Sequence, residues 1–297
     1  MNRRQFIQTA TIAATAAATL KFPALQAAET KAPRWPIGCF NRPWVGEGMT
    51  YDTALDGVKA AGYKLTGLLT ATKQDPFIRS DATPEYLDAL KKKIAAHDLR
   101  ANMGALRLKE DLGSDAALKD VQQQIDNAKF LGLEFVLTFG VDNASQYENY
   151  YKLMAGAAPY AQERGLKLVL KPHGGGSGAS EEIIRCIGKV KQPNFKIWYD
   201  AGNIIYYTGK DPIEQLKPIA QYVTGFCAKD CDKEKGEVFL EFGAGKVDFK
   251  AVFSELKQAG FNGPVMVECC KKGKTTEETT ASARKNREFL ENLFASL

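Results

Sequence analysis

From residue 36 onward the chain alternates short apolar runs with longer amphipathic ones, and the alternation repeats eight times. The short runs cover 36–40, 64–70, 101–106, 134–139, 167–170, 196–199, 223–227 and 264–268. Short, nearly continuous apolar runs read as strands buried on both faces. Between them lie helical patterns over 51–61, 84–97, 116–131, 146–164, 180–190, 212–220, 249–259 and 277–294. Asp115, Ser180, Asp211 and Asp248 stand where N-caps are wanted, while Gly62, Gly132, Gly165 and Gly260 stand just past helix ends. Eight strand–helix units in about 260 residues, with no long linker, have the size and rhythm of one parallel α/β barrel of the (β/α)8 type. A doubly wound open sheet is the alternative. Its dinucleotide fingerprint fails, because Gly174-Gly175-Gly176-Ser177-Gly178 lacks the spacing and the helix directly behind it. The Walker phosphate-loop pattern is also absent from the sequence.

The N-terminus reads as an address rather than as fold. Asn2-Arg3-Arg4-Gln5-Phe6 is a basic start, an Ala/Thr-rich run continues to about residue 20, and small residues surround Ala27-Ala28. Paired arginines ahead of a weakly apolar stretch favour a twin-arginine signal peptide over residues 1–28, hence a periplasmic or other extracytoplasmic destination, with the barrel over 29–297. The run is short, Thr-rich and followed by Lys21 and Pro23, so no stable membrane span is expected. Lys and Arg outnumber Asp and Glu by 40 to 35, but three of these cations lie in the leader, which leaves 37 against 35. A nearly neutral mature chain gives no electrostatic reason to expect nucleic acid as a partner. In an oxidising compartment some of Cys39, Cys186, Cys227, Cys231, Cys269 and Cys270 can pair, although their spacing specifies no connectivity and no zinc site.

In such a barrel chemistry belongs at the C-terminal ends of the strands. Four windows put ionisable groups straight after an apolar run: Lys171 and His173, Asp200, Lys229 and Asp230, and Glu268. His, Asp and Glu together suit a divalent metal such as Mn, Co, Zn or Mg, which makes Asp200, Glu268 and His173 the expected ligands. His173 is one of only two histidines, and His97, at a helix end, is expected near the opposite face. Lys171 and Lys229 are expected as counter-ions or proton donors rather than imine formers.

These residues carry a resemblance. Leu-Val-Leu-Lys171-Pro-His173-Gly-Gly, Trp-Tyr-Asp200-Ala-Gly-Asn203, Ala-Lys229-Asp230, Gly243-Ala-Gly245-Lys246-Val-Asp248-Phe and Val-Met-Val-Glu268 together resemble the xylose isomerase-like TIM barrel superfamily, usually labelled sugar phosphate isomerase/epimerase. The resemblance implies a metal set of Glu after the fifth strand, Asp after the sixth, His on the seventh and Glu after the eighth. Asp200 and Glu268 match it, whereas Lys171 replaces the first glutamate and Cys227 stands near the place of the histidine. His173 resembles a histidine used after the fifth strand in the inosose dehydratase branch, where catalysis is an elimination.

The reactions implied share one step, removal of a proton from carbon beside a carbonyl. Glu268 or His173 is the expected base, with Lys171 or Lys229 stabilising the oxyanion or protonating a leaving oxygen. Arg42, Trp44, Asn203 and Lys246 are the expected substrate contacts, and Trp198, Tyr199 and Tyr206 are further aromatic candidates. Reprotonation gives a sugar isomerase or epimerase, the leading expectation; loss of a β-substituent gives a lyase or hydratase on 3-keto-glycosides or keto-sugars. A non-catalytic sugar-binding barrel is the third reading. Export favours a free or oxidised carbohydrate over a sugar phosphate, and the superfamily includes homo-oligomers.

Overall fold

The structure is a computed structural model and describes residues 35–46 and 49–297. The leader expected over residues 1–28 lies outside the described residues. Eight strands, β1 (Ile37–Phe40), β2 (Leu65–Leu68), β3 (Arg100–Ala105), β4 (Phe135–Thr138), β5 (Lys167–Leu170), β6 (Phe195–Tyr199), β7 (Val223–Ala228) and β8 (Val265–Val267), pair in parallel and in sequence order. β1 pairs with β2 on one side and β8 on the other, so the barrel closes. The (β/α)8 expectation is met.

The helices are α1 (Tyr51–Ala60), α2 (Pro84–Ala96), α3 (Asp115–Phe130), α4 (Tyr147–Glu163), α5 (Ser180–Val190), α6 (Ala201–Thr208), α7 (Pro212–Leu216), α8 (Phe249–Gln258) and α9 (Thr276–Ala295). Asp211 and Asp248 cap α7 and α8 as expected. At α3 the cap is Ser114, one residue before the expected Asp115, and at α5 Ser180 is the first helical residue, with Glu182 reaching back to the Ala179 N–H. The sequence reading ran α7 too long and missed α6. Gly202 and Asn203 argue for a loop, but the Asp200 carboxylate accepts the Asn203 N–H at the start and Gly209, at φ 65°, ends the helix. Among the described residues no helix is long and apolar enough to cross a membrane.

Side chains of a strand alternate between two faces. One set packs outward against the helices; the other, including Phe40, Met103, Phe135, Val169, Trp198, Cys227 and Met266, fills the lumen. Lumen space is shared between large and small positions. A Cβ on Gly38 would lie 2.4 Å from Met266 Sδ, one on Gly67 2.4 Å from the Phe40 ring, and one on Gly225 2.2 Å from the Trp198 ring. All six cysteines are buried and none is joined in a disulfide. Gly225→Ala drives a methyl group into Trp198 and should lower stability by roughly 1–3 kcal/mol, read from the midpoint of chemical denaturation; an unchanged midpoint would show that the lumen yields there.

Candidate active site

The floor of the mouth follows from strand alternation carried one step past the lumen layer. Val169, Trp198, Cys227 and Met266 point inward, and two residues on along each strand stand Lys171, Asp200, Lys229 and Glu268. These four are buried, with side-chain exposures of 3% or less. Lys171 Nζ donates to Glu268 Oε2 and lies 3.0 Å from Asp200 Oδ2. Lys229 Nζ lies 3.2 Å from Glu268 Oε1 and 3.4 Å from Asp200 Oδ2. Arg42, from the turn after β1 and partly exposed, pairs with Glu268 Oε1, and the Cys227 thiol donates to Glu268 Oε2. Glu268 therefore faces three cations and a thiol.

Burial alone would raise the Glu268 carboxyl, but Lys171, Lys229 and Arg42 hold it well below the usual carboxylate range. Burial likewise opposes the Lys171 charge, yet Glu268 and Asp200 keep its ammonium well above the usual value. Lys229 is raised in the same way, against its own burial, by Asp200 and Glu268. Burial pushes the Cys227 thiol up, so it stays protonated. Three cations against two carboxylates leave the floor one charge positive. Asp200 Oδ2 receives no aligned hydrogen bond and faces both ammonium groups only as an ion-pair contact.

In the motif Asp200-Ala201-Gly202-Asn203 three residues acquire a reason: Asp200, Gly202 and Asn203. Asp200 caps α6 through Oδ1, at 2.8 Å from the Asn203 nitrogen, which leaves Oδ2 for the mouth. A Cβ on Gly202 would meet Lys229 Cγ at 2.6 Å, so glycine makes room for that side chain. Asn203 Nδ2 donates to the Pro172 carbonyl and ties α6 to the loop that carries His173. Asn203 is thus a positioning residue, buried to 2% exposure. Asp230 is another, because its carboxylate accepts backbone N–H groups from Cys231, Gly243, Gly245 and Val247 and folds the loop after β7.

His173 lies beside this cluster, half-buried. Its Nε2 is 2.9 Å from the Tyr207 hydroxyl, and its ring packs 4.9 Å from that of Phe139, over which Lys171 Nζ sits at 5.6 Å. The glycine run is a tied connection. Ser177 Oγ donates to the Phe139 carbonyl and accepts the His173 N–H, while Gly174, at φ 87°, allows Tyr207 to close against it. Burial first, then Lys171 and Lys229, push the imidazole down to about 4, so it is neutral at pH 7. Tyr207 was missed by sequence reasoning because α6 was missed; on that helix it follows Asn203 by four residues and shares its face.

Other expectations are relocated. Trp44 is buried with Nε1 on Thr280 Oγ1, wedged against Gly57 of α1, and lines a cavity with Asn41 and Thr70 instead of standing open at the mouth. Trp198 is packed in the lumen against Phe135, and Tyr199 points outward with its hydroxyl on the Pro212 carbonyl. Lys246 is exposed, its backbone N–H on the Cys231 carbonyl. Tyr206 stacks edge-on against Tyr207. His97 ends α2, with Nδ1 on the Lys93 carbonyl and Nε2 3.3 Å from Asp56, away from the mouth as expected.

Residues 55–293 match the family described as Xylose isomerase-like TIM barrel. The chain is a xylose isomerase-like TIM barrel. An inosose dehydratase of Clostridium perfringens is 26% identical over 165 residues, covering 50% of this chain and 53% of that protein. The chain spans about half the length of the curated relatives it matches first. An inosose dehydratase of Lacticaseibacillus casei is 23% identical over 78% of this chain and 87% of its own length. A xylose isomerase-like TIM barrel protein from Mycobacterium smegmatis, solved in complex with magnesium, superposes with a TM-score of 0.70 at 16% identity over 89% of this chain and 97% of its own.

In this xylose isomerase-like barrel Asp200, Cys227 and Glu268 each bring a ligand atom within 4.8 Å of the others, the one such grouping among the described residues. His173, expected as a ligand, is outside it, because its loop turns the ring toward Tyr207 and Phe139. The grouping has the ligand types of a metal site but does not fit a dication as it stands, since two ammonium groups contact the same carboxylates. An added double charge would meet those two ammonium ions in surroundings that screen poorly.

With an unfolded value near 6.5 and a folded value of about 4, His173 binds protons more readily in the unfolded chain, so folding should lose stability as pH falls through that window. An imidazole NMR titration, with His97→Asn used to assign the two rings, should give a His173 midpoint near 4; a midpoint near 6.5 would contradict the burial described above.

Proposed function

We propose that this barrel is a carbohydrate lyase or dehydratase that takes the proton beside the carbonyl of a keto-sugar and expels a β-oxygen. The observation that carries this reading is a neutral, partly accessible imidazole next to a buried floor of net positive charge. With the proton on Nε2 and donated to the Tyr207 oxygen, His173 keeps a free Nδ1 lone pair as base. The C–H pair moves into an enolate whose oxygen faces Arg42 and the ammonium groups; the enolate then collapses, the β C–O bond breaks, and Lys229 supplies the proton to the departing oxygen. No step requires a carboxylate to accept a proton.

Epimerisation or isomerisation, the leading reading of the sequence, is less supported. It asks two carboxylates to exchange protons, whereas Glu268 is held by three cations and Lys171 stands at the place of the second carboxylate. The inosose dehydratase relatives act on a ring ketone by their printed name, which agrees with a keto-sugar substrate. In this reading the leader places the enzyme outside the cytoplasm, among free or oxidised sugars such as 3-keto-glycosides.

The test is NMR in D2O with a 3-keto-glycoside and with an inosose. Exchange of the proton beside the carbonyl with loss of the β-oxygen is expected, and His173→Ala should slow it by about 10²- to 10⁴-fold. Exchange yielding only the epimer would replace elimination by epimerisation. Saturable binding without exchange of either substrate would overturn catalysis and leave a sugar-binding barrel.

A further inference from the structure

The ligand atoms of Asp200, Cys227 and Glu268 lie within 4.8 Å of one another on the mouth floor, and a side chain of the protein itself contacts two of the three residues. Zinc and similar dications bind oxygen and thiolate at roughly 2.0–2.3 Å, so two ligands of one ion stand at most about 4.6 Å apart, and the three ligand atoms, within 4.8 Å of one another, need only a small side-chain adjustment to share one ion. Lys171 Nζ contacts the carboxylates of both Asp200 and Glu268, and the Cys227 thiol bonds to the same Glu268 oxygen that the ammonium does. All four side chains are buried. We propose that the Lys171 ammonium is the resident cation of this mouth, standing in place of a dication, excluding metal from the native protein and concealing a latent Asp200–Cys227–Glu268 metal site.

The charges support the exchange. In the native floor Lys171, Lys229 and Arg42 face Asp200 and Glu268 with Cys227 as a neutral thiol, for a net charge of plus one. Cutting Lys171 back to alanine removes one positive charge and opens the space its chain fills. A dication there, with Cys227 releasing its proton to solvent as it binds, restores the same net charge of plus one. At Glu268 the exchange leaves Lys229 and Arg42 in place, because they approach Oε1 whereas Lys171 and Cys227 use Oε2; at Asp200 the ion takes over Oδ2 from Lys171, with Lys229 Nζ remaining 3.4 Å from that oxygen. The inference stands on this geometry and not on the elimination reading.

The test uses Co²⁺ as probe with the full chain, Lys171→Ala, Lys171→Met and the double variant Lys171→Ala/Cys227→Ser. After gel filtration, elemental analysis should find about one equivalent of cobalt in Lys171→Ala, together with a near-ultraviolet thiolate-to-cobalt band that the double variant lacks. The native protein and Lys171→Met, whose side chain still fills the space, should carry neither metal nor band. Thermal unfolding should rise with added Co²⁺ for Lys171→Ala alone. If Lys171→Ala is unfolded without metal, recovery of its far-ultraviolet circular dichroism on adding Co²⁺ supports the proposal equally. A native protein that takes up one equivalent with a Cys227-dependent band overturns it, as does a Lys171→Ala variant that neither binds cobalt nor folds with it. None of these readings uses turnover, so a failed elimination assay and a failed latent site are told apart.

Discussion

Two carboxylates that water does not reach, Asp200 and Glu268, dictate the arrangement of the mouth. An ion moved into a protein interior costs several kcal/mol even after relaxation, unless opposite charge and hydrogen bonds compensate. Here the compensation comes from the ends of β5 and β7 and from the turn after β1: Lys171, Lys229 with the Cys227 thiol, and Arg42. Remove any one cation and Glu268 loses one of its three charged partners. The electrostatic state of His173 follows, because a ring half out of water beside two ammonium ions loses its proton readily.

The scaffold delivers these groups by simple geometry. Alternation along parallel strands puts the lumen layer of Val169, Trp198, Cys227 and Met266 directly beneath the charged layer. Glycines supply the clearance, as Gly225 does for Trp198 and Gly202 for Lys229. Loops are fastened by buried polar side chains: Asp230 gathers the backbone of 243–247, Asn203 holds the Pro172 carbonyl, and Ser177 anchors the glycine run to Phe139. The fastened glycine loop ties the backbone of His173 to the Phe139 carbonyl through Ser177.

Within the family the contrast is chemical. Its magnesium-bound structural relative shows that the same fold can be solved with a dication, while in this chain an ammonium ion occupies the carboxylate pair. An ammonium is a weaker electrophile than a dication but can also give up a proton, which a bare cation cannot.

Much of the fold was legible along the chain. Eight apolar runs at regular spacing, capped helices and glycines past their ends are local signals, and local signals are enough to set a repeating strand–helix order. The four charged positions at strand ends were legible for the same reason. The assignment of Asp200, Glu268 and His173 as partners was not, because which residue faces which depends on barrel closure and loop path, and these bring together residues as far apart in sequence as Arg42 and Glu268. Tyr207 stayed hidden because its helix begins with Gly and Asn, whose tertiary roles outweigh their helix propensities. The sequence by itself determined the order of elements and the supply of charged groups, since these depend on neighbours a few residues away; only the tertiary structure decided that Lys171 and Lys229 meet the buried carboxylates of Asp200 and Glu268, because pairing of buried charges is settled by distance across the closed barrel.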